Sequence, residues 1–487
     1  MINISQNNFL LKNQNPKAKA IISSLSNLTY QELHNKVLLT AEFLQDQKIK
    51  SREKIGIIGQ NSVEYVVVVL ALWQIAAVPV PINIKLINSE IDGLLNAANC
   101  STVIIQKSFE HKINPQNFQL IIFPELKSEN TNFVAREELY LDDHAVIIFT
   151  SGSTDNSKGI ILSFRSLYNS TINGNNLLRY TISDRWLASL PFYHIGGFSI
   201  IARAILFGIP IIIPDSNSIQ DLNSAIKNWQ PTFVSIVSAQ LKKFVDEELT
   251  PNPELKNCLV GGGFIDKELL LKAYDLGWPV NVVYGSTETS SFVTALLKDE
   301  IIFKPNSVGR AVPTNRILIT DVNGNELKPF EIGQITIQSN ALMSGYLNKN
   351  ESPQLVENEL HQTDDLGYVD EEGYLFIEGR KNYLISSGGE NVNPFEIEKT
   401  LLEHHLIQEA AVFPLKDIVW GEIIAASLVI INKEVKPTLE EIKLFLKDKL
   451  PDFKIPKKIF FTEELPKTEL GKIQKDKLIE RYKLTSL

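Results

Sequence analysis

Cysteine is scarce in this chain of 487 residues. The two cysteines, Cys100 and Cys258, lie far apart inside apolar stretches. We therefore expect buried free thiols in a reducing compartment and no disulfide bond. Their spacing also lacks the Cys and His pattern of a structural zinc site.

Long uninterrupted apolar runs are also missing. The two longest apolar stretches, residues 66–82 and 198–214, are broken by polar residues, glycine and proline, so neither is expected to span a membrane. The N-terminus has no continuous apolar segment after its charged residues, which argues against a secretory signal. The sequence therefore predicts a soluble, cytoplasmic protein.

Positive charge is not in excess. The formal net charge is -9, which disfavours nucleic acid and anionic lipid as partners. The region from Lys443 to the C-terminus differs, because it contains eleven Lys and one Arg but only seven acidic residues. We interpret this region mainly as a solvated helical surface of mixed charge, and binding of a polyphosphate ligand is the alternative.

The remaining composition is that of a globular protein. Hydrophobic residues make up 44% and charged residues 22%, and the length exceeds that of one compact core. Over the first 310 residues, short β-rich runs alternate with amphipathic helical stretches, which predicts mainly parallel sheets covered by helices. The predicted strands are 54–59, 101–106, 119–123, 144–149 and 209–214, and the predicted helices are 62–74 and 86–98.

The pattern changes twice toward the C-terminus. Short β segments begin near Ile317, where Asn323-Gly324 is a strong hairpin signal. Beyond Lys381, helices at 394–404 and 439–449 and strands at 410–415 and 425–431 indicate a compact α+β unit. We therefore predict an α/β protein with an N-terminal domain of residues 1–381, containing a small β subdomain at about 311–381, and a smaller mobile C-terminal domain of residues 382–487.

A loop rich in hydroxyl groups follows the strand predicted at 144–149. Its sequence, TSGSTDNSKG, runs from Thr150 to Gly159. Backbone amides, hydroxyls and an ammonium group are what a triphosphate requires, but a polar turn between two strands has the same composition. The Walker pattern is not met, since Gly152 and Lys158 fit it while Ser157 and Gly159 do not.

Four further segments occur with this loop in a fixed order. They are LPFYHIGG (190–197), YGSTET (284–289), residues 363–380 continued by 386–398, and PKTELGK (466–472). Together the five segments resemble the acyl-adenylate-forming superfamily, which includes acyl-CoA synthetases, nonribosomal adenylation domains and firefly luciferase. The resemblance extends from residue 28 to residue 472. It implies an enzyme that uses ATP and Mg²⁺ to activate a carboxylic acid as acyl-AMP and then transfers the acyl group to CoA.

The resemblance implies roles for individual residues. Asp365 matches the acid that binds the ribose, and Arg380 matches its partner. Glu288 is expected to hold Mg²⁺, Thr287 to bond the α-phosphate or the substrate, and Lys472 to stabilise charge during attack on the α-phosphate. The complete set expected to bind ATP is Thr150, Ser151, Gly152, Ser153, Thr154, Lys158, Gly262, Tyr284, Gly285, Asp365 and Arg380.

Three residues depart from the superfamily pattern. Asp155 replaces a flexible glycine, Ser157 replaces a proline, and Asp364 stands where glycine is usual. A carboxylate beside the phosphates of ATP would repel them unless it turned outward or met Mg²⁺. We therefore expect nucleotide binding to be weakened and not abolished.

Enzymes of this superfamily that make thioesters rotate the small domain between two half-reactions. Carried over to this chain, the hinge falls at Asn382, where many members have aspartate. The loop that contains Ser387, Gly388 and Gly389 would then face CoA. The oligomeric state stays open, with a homodimer as one option.

The nature of the acid is indicated by residues 185–208 and 259–266, which look like those of o-succinylbenzoate:CoA ligases of menaquinone and phylloquinone biosynthesis. His194 matches a residue that borders the carboxylate site, and Ser286 is also expected at the substrate. Arg203 lies in apolar sequence and needs a partner, either a protein carboxylate or a second carboxylate on the substrate. The alternatives are a ligase for another aryl or medium-chain acid, an adenylation enzyme that loads a carrier protein, and a catalytically weak relic.

Overall fold

The structure, a computed structural model, describes residues 5–12, 14–124, 131–150, 158–263, 265–347, 359–387, 390–417, 421–432, 436–468 and 471–483. The chain divides into two compact units. The larger unit comprises Met1–Arg316 and Gln338–His361, and the smaller comprises Ile317–Ile337 and Gln362–Leu487.

Helices and strands alternate through most of the larger unit. The helices of the described chain are α1 (Tyr30–Asp46), α2 (Val63–Gln74), α3 (Asn88–Ala97), α4 (Phe164–Leu178), α5 (Ile195–Phe207), α6 (Ile219–Trp229), α7 (Ser238–Asp246), α8 (Lys267–Asp275), α9 (Pro394–Leu402), α10 (Leu439–Lys447) and α11 (Lys475–Lys483). The strands are β1 (Lys19–Ile22), β2 (Asn27–Thr29), β3 (Lys54–Ile58), β4 (Val78–Pro81), β5 (Thr102–Ile105), β6 (Gln119–Ile122), β7 (His144–Phe149), β8 (Gly159–Ser163), β9 (Trp186–Leu187), β10 (Ile211–Ile212), β11 (Phe233–Val237), β12 (Asn257–Gly261), β13 (Val280–Ser286), β14 (Ser291–Leu296), β15 (Arg310–Ala311), β16 (Arg316–Thr320), β17 (Gly333–Gln338), β18 (Gly345–Tyr346), β19 (Leu360–Val369), β20 (Leu375–Arg380), β21 (Ile385–Ser387), β22 (Glu390–Val392), β23 (Ile407–Asp417), β24 (Gly421–Ile430) and β25 (Lys458–Phe461).

A nine-stranded sheet in the order β15-β14-β13-β12-β11-β9-β10-β1-β2 runs through the larger unit. The strands from β13 to β1 in that order are parallel to their neighbours. Their carboxyl ends therefore share one edge, which is where open α/β sheets bind ligands. The same unit contains the parallel sheet β4-β3-β5-β6 and the antiparallel sheet β18-β8-β7. The predicted α/β class is confirmed.

Most predicted elements are present with small changes at their ends. The strand predicted at 144–149 coincides with β7, and the helix predicted at 62–74 is α2, capped by the Ser62 hydroxyl, which accepts the Tyr65 N–H at 3.1 Å. The strand predicted at 209–214 is shorter in the structure, where β10 comprises only Ile211–Ile212. Pro210 and Pro214 flank that strand, and neither has an N–H to donate to a neighbour.

The apolar helix α2 owes its composition to burial inside the protein. Trp73 is fully buried, and its Nε1 donates to the Ala145 carbonyl at 2.8 Å. Its ring makes edge contacts with Phe9, Phe164 and Phe198, at centroid distances of 5.6, 5.2 and 6.1 Å. Among the described residues, no helix has both the length and the apolar character that a membrane crossing would require.

Both cysteines are buried and free, as predicted. Cys100 lies just before β5 and Cys258 lies within β12. Burial raises the pKa of the Cys100 thiol to about 12 and also raises the pKa of Cys258. Thiols of this kind pack as small apolar side chains and are poor nucleophiles.

The smaller unit contains two sheets. One has the order β16-β17-β19-β20, and the other has the order β22-β21-β24-β23 with β25 alongside β24. The predicted hairpin turn is present, because Asp321 N–H bonds the Asn325 carbonyl at 2.9 Å and Gly324 has a φ of 85°. The division at Lys381 concerns motion between domains, so it stays a prediction.

Five of the eleven lysines in the basic C-terminal region pair with acidic residues. Its lysines at 443, 449, 454, 467 and 475 form ion pairs with Glu440, Glu403, Glu396, Glu409 and Glu398, respectively. Such pairing supports the interpretation as a surface of mixed charge.

Two glycines with the same backbone conformation differ in the space around them. Gly309 has a φ of 85° and Gly277 a φ of 83°. A Cβ at Gly309 would lie 1.9 Å from the backbone carbon of Ala295, whereas nothing lies within 4 Å of a Cβ at Gly277. Of these two positions, only Gly309 requires the neighbouring strand β14 to move before it can accept a side chain.

We therefore expect Gly309→Ala to lower the free energy of unfolding much more than Gly277→Ala. Both variants incur about 1 kcal/mol for a side chain at positive φ, and overpacking against β14 adds about 1–3 kcal/mol at Gly309 alone. Urea denaturation of the two purified variants measures the difference. Equal losses would contradict the close approach of β14 to Gly309.

Candidate active site

The loop expected to bind phosphate connects two antiparallel strands. Phe149 at the end of β7 pairs with Gly159 at the start of β8. Thr150 N–H donates to the Lys158 carbonyl at 3.1 Å, and Lys158 N–H lies 3.4 Å from the Thr150 hydroxyl. Thr150 and Lys158 are therefore side by side at the base of the loop. Residues 151–157 lie outside the described chain, and with them Ser151, Gly152, Ser153, Thr154, Asp155 and Ser157.

Tyr346 brings the base of this loop next to the residue expected to hold Mg²⁺. The Lys158 ammonium lies 5.2 Å from the centre of the Tyr346 ring, a distance typical of cation–π contact. The Tyr346 hydroxyl lies 3.5 Å from Glu288 Oε1. The Glu288 backbone is fixed as well, because its carbonyl accepts the Met343 N–H at 2.7 Å. The structure thus brings Thr150, Lys158 and Glu288 together.

A tight turn between β13 and β14 presents Thr287 and Glu288. Its ends are the cross-strand partners Ser286 and Ser291. The Thr289 hydroxyl accepts the Ser286 N–H at 2.8 Å and lies 2.7 Å from the Ser291 carbonyl oxygen, which holds both ends of the turn.

The strand that leads into this turn is irregular. The ladder shifts between Tyr284 and Gly285, and Ser290 and Ser291 have φ values of 56° and 132°. A Cβ at Gly285 would lie 2.1 Å from the Ser291 carbonyl oxygen, so glycine is required for the close approach of the two strands. Backbone strain of this kind clusters at functional sites.

His194 is the residue immediately before α5, and its ring lies 4.9 Å from that of Tyr193. The segment leading to it is fixed by Asn61, whose side chain donates to the carbonyls of Ala188 and Leu190 at 3.1 and 2.8 Å. The chain reaches His194 from the carboxyl end of β9. Gly262 follows the carboxyl end of β12 and has a φ of 84°, so both residues follow strands whose carboxyl ends share one edge of the large sheet.

Arg203 on α5 is only 2% exposed. Its Nη2 donates to the Ser291 hydroxyl at 2.7 Å, and its guanidinium lies 5.3 and 5.1 Å from the ring centres of Trp186 and Phe292. Nε has no hydrogen-bond partner in the described part of the chain. Burial lowers the pKa of Arg203, and the nearby Tyr180 opposes this shift. No carboxylate of the described chain pairs with this cation.

Arg203 and Ser286 meet at the same turn. Arg203 bonds Ser291, which is the cross-strand partner of Ser286. The Ser286 hydroxyl is buried and, within the described ranges, has no hydrogen-bond partner. Two of the three residues expected at the substrate, Arg203 and Ser286, therefore meet at the β13–β14 turn, next to Glu288.

Asp365 and Arg380 are cross-strand partners on β19 and β20. Arg380 Nε donates to Asp365 Oδ1 at 2.8 Å, and the Asp365 side chain is 14% exposed. The adjacent Asp364 is exposed. Successive strand residues face opposite sides of a sheet, so the Asp364 carboxylate does not share the face of Asp365.

Lys472 belongs to a tight hairpin of the smaller unit. The Lys472 carbonyl accepts the Thr468 N–H at 2.7 Å, and the Lys472 N–H donates to the Thr468 hydroxyl at 3.1 Å. Asn382 lies in the short 3₁₀ helix Lys381–Tyr383, and Ser387 is the last residue of β21. Gly388 and Gly389, expected near CoA, lie outside the described residues.

Two residues of the site were not identified from the sequence. Tyr346 links Lys158 to Glu288, but a single tyrosine after Gly345 is indistinguishable from a core residue. Ser291 binds Arg203, and its position directly after the YGSTET segment was a usable signal. Both contacts join residues far apart in the sequence.

A magnesium site built wholly from protein is not found, since no group of three or more His, Cys, Asp or Glu able to hold a metal occurs among the described residues. Mg²⁺ commonly binds through one or two carboxylates while phosphate and water supply its other oxygens. A single Glu288 beside the loop expected to bind phosphate fits that chemistry.

Comparison with known proteins gives consistent matches over the whole chain. Residues 11–347 match the family model described as AMP-binding enzyme, and residues 396–472 match the model of the AMP-binding enzyme C-terminal domain. The chain is 32% identical to 2-succinylbenzoate–CoA ligase of Bacillus cereus (strain ZK / E33L), over 95% of each chain.

Solved structures agree with these matches. The o-succinylbenzoate CoA synthetase (MenE) of Bacillus subtilis in complex with the acyl-adenylate intermediate OSB-AMP superposes with a TM-score of 0.89, at 29% identity over 97% of each chain. The same enzyme in complex with ATP and magnesium ion also gives 0.89 at 29% identity, over 97% of this chain and 99% of that chain.

The opposite orientations of Asp364 and Asp365 allow a test of the predicted ribose contact. Asp365→Asn should weaken ATP binding about tenfold, because a hydrogen bond to a charged group contributes about 1.5–3 kcal/mol. Binding of 2′,3′-dideoxy-ATP, which lacks both ribose hydroxyls, should change less than about twofold by the same argument. Isothermal titration calorimetry with Mg²⁺ measures both affinities.

Asp364→Asn is the matched control, since it removes one charge from the neighbouring residue on the other face. Its ATP affinity should stay within about twofold of the unchanged protein. The ribose contact is refuted if the two substitutions act equally, or if Asp365→Asn weakens the dideoxynucleotide as much as ATP.

Proposed function

The chain belongs to the family of AMP-binding enzymes, and we propose that it is an AMP-forming ligase that activates o-succinylbenzoate with ATP and transfers the acyl group to CoA. The similarity to 2-succinylbenzoate–CoA ligases supports the choice of substrate. The observation that carries it is the burial of Arg203 without a carboxylate partner in the described chain.

A buried guanidinium requires compensation. Arginine stays protonated in proteins, and a charge taken out of water is costly unless it is paired. Hydroxyl and aromatic contacts compensate Arg203 only in part. A carboxylate brought by the substrate would complete the pairing, and o-succinylbenzoate has a ring carboxylate in addition to the succinyl carboxylate that is activated. The hydrogen bond to the Ser291 hydroxyl holds the Arg203 guanidinium beside the β13–β14 turn.

The reaction has two steps. In the first, a succinyl carboxylate oxygen bonds to the α-phosphorus of ATP and the bond to pyrophosphate breaks. In the second, the CoA thiol loses its proton, its sulfur bonds to the acyl carbon, and AMP leaves with the electrons of the broken bond. Both steps develop charge on oxygen, which positioned donors and cations stabilise.

The residues of the larger unit would hold the reactants for the first step. Thr150 and Lys158 would bind phosphate oxygens, Tyr284 would lie beside the adenine, and Thr287 would bond the α-phosphate. Glu288 would hold Mg²⁺, which when bound neutralises charge on the phosphates. His194 would border the carboxylate that attacks, at the positive end of α5.

The residues of the smaller unit would act at two points. Asp365 and Arg380 would bind the ribose, and Lys472 would stabilise charge at the α-phosphate in the first step. The segment at Ser387 would serve the second step after rotation about Asn382. Hinges of this kind are a few residues that absorb a backbone change.

A coupled assay tests the proposed reaction. With ATP, Mg²⁺, CoA and o-succinylbenzoate, the protein should release AMP and pyrophosphate and form a thioester. Omission of CoA should leave only acid-dependent exchange between ATP and pyrophosphate. Activity confined to benzoates or fatty acids, or transfer to a carrier protein and not to CoA, would refute the proposal.

Arg203→Leu should impair recognition of the acid and should not change recognition of ATP. Loss of one partner of a buried charge pair costs about 2–5 kcal/mol, so the KM for o-succinylbenzoate should rise at least about thirtyfold, while the KM for ATP should stay within about threefold. Thermal stability should not fall, because replacing a buried charge with an apolar group is often neutral or stabilising. Steady-state kinetics and thermal denaturation measure the two effects.

The substrate itself supplies a control. 4-Oxo-4-phenylbutanoate keeps the succinyl chain and lacks the ring carboxylate, so the unchanged protein should discriminate against it and Arg203→Leu should not. Arg185→Leu is the protein control, because that guanidinium donates to the Gln230 carbonyl away from the site. If Arg203→Leu still prefers o-succinylbenzoate to 4-oxo-4-phenylbutanoate, Arg203 does not recognise the ring carboxylate.

A further inference from the structure

The smaller unit contains a buried ion pair that none of the proposed steps uses. Lys475 Nζ lies 2.6 Å from Glu398 Oε1, and the two side chains are 10% and 12% exposed. The same carboxylate oxygen accepts the Val412 N–H at 2.7 Å. Three elements meet at this point, since Glu398 lies on α9, Val412 on β23, and Lys475 at the start of α11.

Stability alone does not account for this pair. Burial raises the pKa of Glu398, and Lys475 opposes that rise, so desolvation is a real cost here. Apolar residues of similar volume commonly do as well as a buried ion pair. A buried pair does fix geometry, because its charges must remain in register to offset that cost.

On one side, the pair holds the hairpin that contains Lys472. Lys475 follows that residue by three positions. The hairpin is closed by the bridge between Lys467 and Ile473 and by the Gln474 N–H, which donates to the Pro466 carbonyl at 2.8 Å. Because α11 begins directly after the hairpin, fixing Lys475 fixes the base from which Lys472 projects.

On the other side, the pair reaches the predicted hinge. The Lys475 ammonium lies 5.3 Å from the centre of the Tyr383 ring, within the range of cation–π contact. Tyr383 is the neighbour of Asn382 in the same short 3₁₀ helix. One ammonium group therefore contacts α9 through Glu398 and the hinge segment through Tyr383.

We propose that Glu398 and Lys475 are positioning residues that join the hairpin of Lys472 to the hinge segment, so that Lys472 and the hinge move as one rigid body. The inference rests on the proposed function, because it concerns the step in which Lys472 acts. Its consequence is specific: breaking the pair should disturb acyl-AMP formation and spare the second step.

Half-reaction kinetics of the full chain test this. Glu398→Gln keeps the shape and an acceptor for Val412 but removes the charge. It should slow acid-dependent ATP–pyrophosphate exchange about tenfold or more, since misplacement of a catalytic group by about 1 Å can cost a hundredfold. Thioester formation from preformed acyl-AMP and CoA should change less than about threefold. Lys472→Ala, which removes the ammonium itself, is the reference for the same split.

Two further variants separate positioning from folding. The double variant Glu398→Gln with Lys475→Met leaves no unpaired buried charge, so it should recover any loss in Tm and still be slow in the first half-reaction. Lys454→Met is the matched control, because it breaks the ion pair of Lys454 with Glu396 on the same helix, away from the hairpin. Its two half-reactions should be unchanged.

Hydrogen exchange gives a measurement that does not depend on the acid. In Glu398→Gln and in the double variant, a peptide covering residues 466–474 should exchange faster than in the unchanged protein or in Lys454→Met. If the unchanged protein has no activity toward o-succinylbenzoate, the proposed function is refuted. Hydrogen exchange of the hairpin then still tests whether the pair of Glu398 and Lys475 holds it in place. The positioning role is refuted if hydrogen exchange of the hairpin is the same in Glu398→Gln as in the unchanged protein. It is also refuted if Glu398→Gln slows both half-reactions equally and the double variant restores both rates together with Tm.

Discussion

The turn between β13 and β14 is the constraint on which the larger unit's site depends. The Thr289 hydroxyl holds its two ends, and Gly285 permits the close approach of the strands. From this turn Glu288 extends toward Tyr346 and Lys158, and Ser291 extends toward Arg203. The residues expected at the phosphates and those expected at the acid are therefore attached to a single strained backbone segment.

Two buried cations of this chain solve the same physical problem differently. Lys475 has an internal carboxylate, Glu398, at 2.6 Å, whereas Arg203 has hydroxyl and aromatic contacts only, among the described residues. A cation with an internal partner fixes structure. A cation without one is suited to an anionic ligand, because hydroxyl and aromatic contacts offset the cost of its burial only in part.

Sequence reasoning succeeded where the signal is local or follows a known order. Strand β7, helix α2 and the α/β class follow from periodicity and capping, and the five ordered segments identify the family. It failed where contacts are long-range. Nothing in the sequence pairs Tyr346 with Lys158, or Lys475 with Tyr383, because these contacts depend on strand register and helix packing that no single segment specifies.

One departure from the superfamily pattern, Asp364, acquires a different meaning once strand register is known. Asp364 is an added negative charge beside Asp365, the residue expected to bind the ribose, but β19 alternates its side chains, and Asp364 is exposed while Asp365 accepts a hydrogen bond from Arg380. Its charge therefore acts through solvent, where it is screened. A residue that departs from a motif disturbs the chemistry only when its side chain shares a face with the residues that bind. In a strand, neighbouring residues face opposite sides and every second residue faces the same side, so the position along the strand decides which face a side chain occupies.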